Sequence, residues 1–326
     1  MRPDPSPAAG SAATAATAAP APAAASPAAP PPGGGTVAVL GPGGVGGLLA
    51  ALLARSGQRV VCIAGAETVR ALRTDGLRVR SRQYGDFTAR VEADTVLREA
   101  VGLCLVTVKH TALESALRRI PAGALGGAPV LPLLNGVDHV PSLRTRYGAE
   151  NVIPAVIRVE SARTAPGLIE HGSPFTEVDL ASPAEQVDRT VESLTAAGVS
   201  TRVMADADAL LWAKLAFLAP FALLTTYHRV PVGVLRTELR AELAALVEEA
   251  AAVSRAACGT APGTAEMLAR YDAFPPRSRS SMQRDAEAGR PLELDAIGGA
   301  LLRAAARHGV PVPVTTGLVA ELAARS

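Results

Sequence analysis

The chain has 326 residues and a formal net charge of +2, with 32 Lys plus Arg against 30 Asp plus Glu. Both signs of charge are spread along the chain and aromatic residues make up only 3%, which argues against a nucleic-acid partner. The apolar stretch at residues 209–224 is interrupted by Lys214 and Pro220, so we expect no membrane span. We also predict no metal site. The length suffices for two domains.

Residues 1–35 consist almost entirely of Ala, Pro, Gly, Ser and Thr. Such a composition cannot bury an apolar core, so we predict a disordered tail. Proline interrupts the segment throughout and no continuous apolar run follows Arg2, which argues against a signal peptide. We therefore expect a cytoplasmic protein.

A glycine-rich turn lies between two predicted strands near the start of the folded part. Gly41, Gly43 and Gly46 fit the pattern G-x-G-x-x-G, and Gly44 lies within it. A strand, a helix and a second strand surround the turn, at residues 36–40, 48–54 and 59–63. In such a βαβ unit the glycines let the backbone approach a pyrophosphate at the helix N-terminus. We predict a dinucleotide site at these four glycines.

The rest of the chain divides into two regions of different character. Further strands and helices alternate up to residue 203, with strands at residues 77–79, 88–91, 103–108, 130–134 and 152–159. This alternation predicts an α/β domain with a Rossmann-like doubly wound, mostly parallel sheet at residues 36–203. Helical patterns at residues 206–226, 234–257, 263–272, 292–308 and 315–324 predict an all-helical C-terminal domain at residues 204–326.

Only two of the 32 cationic side chains are lysines, Lys109 and Lys214. Lysine can release its proton near neutral pH, whereas arginine effectively cannot. Lys214 lies in a helix that is otherwise apolar all round, where an unpaired charge is costly. The simple interpretations are a salt bridge or a side chain that reaches to water. The alternative is a catalytic lysine that faces a cleft.

The end of the second strand bears on the choice of cofactor. In Rossmann units an acidic residue there commonly binds the ribose 2′-hydroxyl of NAD. Gly65 occupies this place, with Glu67 two residues late, and Arg59, Arg70 and Arg73 are near in sequence. The absence of a carboxylate favours NADP (NADPH) over NAD without excluding NAD. The arginines could equally face solvent.

Five stretches together resemble the ketopantoate reductase (2-dehydropantoate 2-reductase) family. They are "GPGGVG" at 41, "LVTVKHTAL" at 105, "LLNGVD" at 133, "LLWAKLAF" at 210 and "SSMQRDAEAGRPLELDAIGG" at 280. The resemblance covers nearly all of the chain after residue 35. It implies a Rossmann domain joined to a helical domain, and reduction of 2-dehydropantoate to pantoate with NADPH in pantothenate biosynthesis. A small-molecule 2-keto acid is the expected partner, and the protein is expected to be a monomer or homodimer.

The resemblance also implies roles for individual residues. Lys214 matches the family's catalytic lysine, the general acid at the carbonyl oxygen. Glu293 matches a glutamate that contacts the reacting oxygen, and Ser281 a serine that contacts the substrate carboxylate. Lys109 and Asn135 match polar residues on the nicotinamide and substrate side of the cleft.

Simpler structural roles remain open for several of these residues. Ser281 could cap a helix, and Asn135 could form a turn with the glycine that follows it. Asp285 and Asp295 are expected to be solvated or capping residues. We expect His110 and His139 to be surface residues near the cleft.

The sequence departs from the family at two places. Family members carry asparagines four and eight residues after the catalytic lysine, on its own helix face, where this chain has Leu218 and Ala222. Gly65 replaces an arginine that family members often place against the 2′-phosphate of NADP. We expect Leu218 and Ala222 to contact the substrate and to make the pocket more apolar, so that branched aliphatic 2-keto acids are accepted.

Two other functions stay open from the sequence. A β-hydroxyacid dehydrogenase has a similar two-domain plan and a helix-borne lysine, but would lack the Ser281 and Glu293 pair. A non-catalytic NADP-binding sensor would explain the missing asparagines. The retention of both lysines in a lysine-poor chain argues against the sensor.

Overall fold

The computed structural model describes residues 35–181 and 184–325, and only the backbone of residues 184–186. The predicted disordered tail therefore lies outside the described residues, except for Gly35. Twelve strands occur in the described ranges: β1 Val37–Leu40, β2 Val60–Ile63, β3 Leu77–Ser81, β4 Phe87–Ala89, β5 Glu92–Asp94, β6 Leu103–Val106, β7 Val130–Pro132, β8 Ala155–Arg158, β9 Ser161–Ala165, β10 Leu168–His171, β11 Glu177–Leu180 and β12 Ser200–Val203.

Thirteen α-helices occur in the same ranges: α1 Gly44–Arg55, α2 Ala66–Asp75, α3 Leu113–Leu117, α4 Ala122–Leu125, α5 His139–Tyr147, α6 Ala184–Ala196, α7 Ala207–His228, α8 Val232–Thr237, α9 Arg240–Cys258, α10 Thr264–Ala273, α11 Ser281–Glu287, α12 Ala300–His308 and α13 Pro313–Ala324.

The first half is built on a parallel sheet of five strands in the order β5-β2-β1-β6-β7. Every pair in it is parallel, with Val37 opposite Val60 on one side and Leu103 on the other. β1, β2 and β6 are buried at all four positions, as expected for central strands covered on both faces. α1 and α2 follow β1 and β2, so the predicted βαβ unit and the parallel sheet with helices are confirmed.

The remaining strands do not extend this sheet, contrary to the expectation of one doubly wound sheet. They form a four-stranded sheet, β4-β3-β10-β9, and a three-stranded sheet, β12-β11-β8, both of mixed direction. β9 and β10 pair antiparallel through a short turn at Pro166 and Gly167, where Gly167 has φ +76°. So short a connection permits only an antiparallel neighbour, because a parallel strand needs a long crossover.

The second half is helical, as predicted, and α7 lies at its centre. Asp206 caps α7 by accepting a hydrogen bond from the Ala209 N–H at 2.9 Å. The helix is long and apolar enough to cross a bilayer, and 72% of its most apolar window is buried inside the protein. The helix predicted at residues 234–257 is two helices, α8 and α9, and α11 was not predicted.

The first half has two apolar core clusters, and one of them is shared with the second half. Val37 and Val39 point to the face of the sheet covered by α1, whereas Ala38 and Leu40 point to the opposite face, whose core continues into the buried side of α7. This shared core holds the carboxyl ends of the parallel strands opposite α7.

Candidate active site

A cleft of about 1730 Å³ lies between the parallel sheet and the helical half. Residues that follow β1, β2, β6 and β7 line one wall, including Gly41, Gly65, Lys109 and Asn135. Ligands of open parallel sheets bind in the crevice at the carboxyl ends of the strands, and this cleft occupies that place. The other wall comes from α7, α11 and the segment around Glu293.

The glycine turn after β1 is shaped by close contacts. Gly41 has φ +85°, and a Cβ on it would lie 2.4 Å from Val108 Cγ1. A Cβ on Gly46 would lie 2.1 Å from Thr107 Oγ1, so only glycine lets α1 pack against the strand. Gly43 is different, because a Cβ there would lie 3.9 Å from its nearest neighbour, Gly41 O. The protein alone does not require glycine at 43, whereas a ligand that lies against the turn would.

The N-terminus of α1 provides donors at the same place. The N–H groups of Gly44, Val45 and Gly46 make no hydrogen bond to another described residue. Gly44 itself lies against β9, because a Cβ there would be 2.3 Å from Ser161 O. Free N–H groups and the positive end of the helix dipole suit an anion. These residues fit the pyrophosphate of a dinucleotide.

The end of β2 carries no acidic side chain on the cleft. Gly65 and Thr68 line the cleft there, and Glu67 does not. Arg59 pairs with Glu92 and Glu99 at the other end of the strand, so it is unavailable to a cofactor. Arg73 donates to Ala93 O at 2.9 Å, and Arg70 is exposed without lining the cleft.

Two arginines that sequence proximity did not single out line the cleft and contact residues just after β2. Arg163 Nη1 donates to Thr68 Oγ1 at 3.3 Å, and Arg119 Nη1 donates to Ala64 O at 3.2 Å. Both are remote from β2 in the sequence, so only the tertiary fold brings them there.

Lys214 lies on the cleft wall formed by α7 and is half-buried. It makes no hydrogen bond or ion pair with a described residue, so the salt-bridge interpretation is not supported. Burial lowers the pKa of Lys214 from 10.5 to about 8. The negative charge of Glu293 opposes this shift, and the positive charge of Arg158 adds to it. A lysine with a pKa near neutral is suited to donate a proton.

Glu293 is buried, with 6% of its surface exposed, and is held by two donors from the sheet wall. The backbone N–H of His110 donates to its Oε1 at 2.9 Å, and Asn135 Nδ2 donates to its Oε2 at 3.1 Å. Glu293 is close enough to Lys214 to act on its pKa, yet the two form no ion pair. Predicted residues from both halves of the chain thus meet in one place.

The backbone near Glu293 explains how Asn135 reaches it. Gly136 has φ +86°, and a Cβ there would lie 2.3 Å from Ala296 O. Ala296 belongs to a π-helical segment, Asp295–Gly299, that leads into α12. Such segments are rare and frequent at functional sites. The glycine lets the Asn135 turn pack directly on this segment.

Lys109 and Asp285 form an ion pair across the cleft. Lys109 Nζ contacts Asp285 Oδ2, and Arg290 Nε contacts Asp285 Oδ1 at 2.9 Å. The expectation that Asp285 is a solvated or capping residue is wrong, because it is buried and bound by two cations. Asp295 is exposed and pairs with Arg303. Lys109 lines the cleft, as predicted, with its charge bound to the helical half.

Ser281 lines the cleft and is exposed at the first turn of α11. It is not the cap of that helix. Ser280 is the cap: its Oγ accepts from the Gln283 N–H at 3.0 Å and from Thr225 Oγ1 at 2.8 Å. Capping by Ser280 leaves the Ser281 hydroxyl without a partner among the described residues.

The two positions that replace the family asparagines have different surroundings. Leu218 lines the cleft, but Ala222 does not, and Ala222 is buried with 1% of its surface exposed. The expectation that Ala222 contacts the substrate is therefore wrong. At 100° per residue, position i+8 lies about 80° away from Lys214 around the helix, whereas i+7 lies about 20° away. Phe221 occupies i+7 and lines the cleft.

Phenylalanines form an apolar part of the cleft beyond Lys214. Phe217 and Phe221 on α7 and Phe274 after α10 line it, and their rings are 5.7–5.8 Å apart between centroids where they meet. The whole chain has only five phenylalanines, so three at this wall make it distinctly apolar.

His139 differs from the expected surface residue. It is buried, and both ring nitrogens lack a hydrogen-bond partner among the described residues. Burial, with the nearby His110 and Lys214, lowers the pKa of His139 to about 3, so its ring is neutral. His110 is half-buried and is not among the residues that line the cleft, although its backbone N–H donates to Glu293. In the described ranges no group of three or more His, Cys, Asp or Glu side chains could hold a metal ion.

Both halves of the chain match known proteins. The family model "Ketopantoate reductase PanE/ApbA" matches residues 37–183, and its C-terminal counterpart matches residues 206–326. The 2-dehydropantoate 2-reductase of Caulobacter vibrioides is 30% identical over 291 residues, covering 88% of this chain and 98% of that protein.

Solved structures also match. The structure of 2-dehydropantoate 2-reductase from Geobacter metallireducens is 28% identical with a TM-score of 0.82, covering 89% of this chain and 100% of that chain. A D-mandelate dehydrogenase solved with NADH and anilino(oxo)acetate has the same fold, with a TM-score of 0.82 at 22% identity, covering 89% and 98%.

The fold and the cleft define an oxidoreductase of the two-domain Rossmann type that acts on CH–OH groups with a pyridine nucleotide. The two family models together cover most of the described chain. The chain belongs to the ketopantoate reductase family. This assignment favours the ketopantoate reductases over the β-hydroxyacid dehydrogenases.

Proposed function

We propose that the protein reduces a 2-keto acid to the 2-hydroxy acid with NADPH, with Lys214 as the general acid. The observation that carries the proposal is the position of Lys214. It is a half-buried lysine on the cleft wall opposite the glycine turn, with a pKa lowered to about 8 and no ion pair to a described residue. A lysine with a structural role would be expected to pair with a carboxylate. A proton donor needs an ammonium group that is not held in such a pair.

The chain's own residues supply protonation and positioning. NADPH, when bound, supplies the hydride that reaches the carbonyl carbon. Lys214 donates a proton from Nζ to the carbonyl oxygen, so the C=O group becomes CH–OH, and the neutral amine regains its proton from solvent. Glu293 is buried beside this place and holds negative charge near the ammonium. The free hydroxyl of Ser281 is suited to the substrate carboxylate.

The first candidate substrate is 2-dehydropantoate, on which the relatives act by their names. A second candidate is a 2-keto acid with an apolar side chain. Leu218, Phe217 and Phe221 favour it, because they present hydrocarbon to the cleft on the turns that follow Lys214. An apolar wall has no group with which to select the hydroxyl of 2-dehydropantoate.

NADPH oxidation with a panel of 2-keto acids tests the proposal. The panel contains 2-dehydropantoate, its analogue without the terminal hydroxyl, 2-oxoisovalerate and phenylglyoxylate. We expect turnover of at least one of these, and loss of two to four orders of magnitude in kcat for Lys214→Ala. Turnover of none by protein that binds NADPH would contradict the proposal.

A further inference from the structure

The place where the adenosine ribose of a dinucleotide would lie is open in this chain. Gly65 is exposed at the end of β2, and a Cβ there would meet no atom within 4 Å. α2 begins directly afterwards, and the N–H groups of Ala66, Glu67 and Thr68 make no hydrogen bond to a described residue. Because position 65 is a glycine, it has no side chain with which to bind a substituent of the ribose.

A cation reaches this place from another sheet. Arg163 on β9 lines the cleft, and its Nη1 donates to Thr68 Oγ1 at 3.3 Å. Thr68 lies in the first turn of α2. The guanidinium of Arg163 thus lies at the N-terminal end of α2, next to the open space at Gly65.

The strand that carries Arg163 is fixed to the glycine turn. Ser161 Oγ donates to Gly44 O at 2.8 Å. Residues two apart in a strand point to the same face and lie about 6–7 Å apart. Ser161 and Arg163 therefore lie on one face of β9, the first against the pyrophosphate turn and the second towards the end of β2.

The charge of Arg163 is available. Among the described residues no carboxylate forms an ion pair with it. Some other arginines of the cleft are paired: Arg158 with Glu177 and Asp179, and Arg284 with Glu160. Arg119 also lines the cleft without a carboxylate partner among the described residues, but its Nη1 already donates to the backbone oxygens of Ala64 and Thr95 at 3.2 and 3.1 Å. An unpaired guanidinium has a fork geometry that matches a phosphate.

We propose that Arg163 binds the 2′-phosphate of NADP and determines the preference for NADP over NAD, in place of a side chain at position 65. This assignment rests on the proposed use of NADPH. The residue that distinguishes NADP from NAD would then come from β9 and not from the end of β2.

Dissociation constants for NADPH, NADH and 2′,5′-ADP test the assignment without turnover, by fluorescence titration or calorimetry. The variants are Arg163→Ala, Arg163→Lys and the control Arg70→Ala. Arg70 lies on α2 and is exposed but does not line the cleft, so the control removes the same charge nearby.

We expect Arg163→Ala to weaken NADPH and 2′,5′-ADP by about tenfold to a hundredfold, the range for a lost hydrogen bond to a charged group. NADH should change by less than about threefold, Arg163→Lys should be intermediate, and Arg70→Ala should resemble the wild type. Equal weakening of NADPH and NADH, or an effect of Arg70→Ala as large as that of Arg163→Ala, would overturn the assignment. A wild type that binds NADH more tightly than NADPH would overturn both this assignment and the proposed cofactor. The wild-type titrations reveal that outcome before any variant is measured.

Discussion

Replacing Lys214 with methionine should stop the reaction and stabilise the protein. A pKa lowered from 10.5 to about 8 means that the charged form of Lys214 is less stable in the folded protein than in the solvated, unfolded chain. Each tenfold change in proton affinity corresponds to about 1.4 kcal/mol, so the charge costs the folded state up to about 3 kcal/mol at neutral pH. Methionine has a similar length and no charge. We expect the free energy of unfolding of Lys214→Met to rise by about 1–3 kcal/mol.

The stability gain of Lys214→Met should depend on pH in a definite direction. Because the folded pKa of Lys214 lies below the unfolded one, its destabilising effect is complete below about pH 8. The effect fades as pH rises from about 8 towards 10.5, where the unfolded chain binds the proton and the folded one does not. The stability gain of Lys214→Met should therefore shrink over this range, while wild-type kcat/KM should fall above about pH 8 as the acid is lost.

Urea unfolding at several pH values and NADPH oxidation measure both effects on the same preparations. Lys214→Arg is the matched control, because it keeps the charge and cannot release its proton at neutral pH. It should be as inactive as Lys214→Met without the gain in stability. A methionine variant that is less stable than the wild type by several kcal/mol, with Lys214→Arg nearly normal in activity, would refute the reasoning and indicate a structural ion pair.

Three further predictions concern the cleft and the helix α7 that forms one of its walls. Gly43→Val should abolish dinucleotide binding with little change in melting temperature, because Gly43 lines the cleft and a Cβ there has open space. Calorimetric titration checks this, with Gly123→Val at an exposed glycine as the control. Unchanged NADPH affinity in Gly43→Val would refute the prediction. Leu218→Asn should raise the preference for 2-dehydropantoate over its analogue without the hydroxyl by about tenfold or more, since a site that hydrogen-bonds a hydroxyl discriminates more strongly than an apolar one. Ala222→Asn should instead cost about 1–3 kcal/mol of stability and leave the preference unchanged, because position 222 is buried. Ratios of kcat/KM and unfolding midpoints decide, and an altered preference in Ala222→Asn alone would contradict the assignment.

The sequence predicts those parts of the fold and of the site that depend on local patterns. Gly41 and Gly46 lie between two apolar strands, and the turn they form depends on contacts within about 70 residues. Lys214 stands out because its helix is otherwise apolar, which is also the physical cause of its lowered pKa. The resemblance to a family added Glu293 and Asn135, whose contact joins residues 158 positions apart.

The parts that escaped prediction depend on packing between distant segments. Nothing near Arg163 in the sequence indicates that β9 lies against α1, so an arginine remote from β2 could not be connected with the cofactor. Asp285 appeared as one of several acidic residues, and only its burial beside Lys109 distinguishes it. Ala222 lies away from the cleft because a residue eight positions after Lys214 departs from the helix face of Lys214 by nearly a quarter of a turn.

Chemical rescue tests most directly whether Lys214 is the proton donor. Lys214→Ala removes the ammonium and leaves space on the cleft wall for a small alkylammonium ion. With saturating NADPH and a 2-keto acid that the wild type reduces, methylammonium should restore NADPH oxidation in proportion to its concentration, while guanidinium at the same concentration should not. Lys214→Ala protein that still binds NADPH and the keto acid, yet gains nothing from any alkylammonium ion or gains equally from guanidinium, would contradict the account.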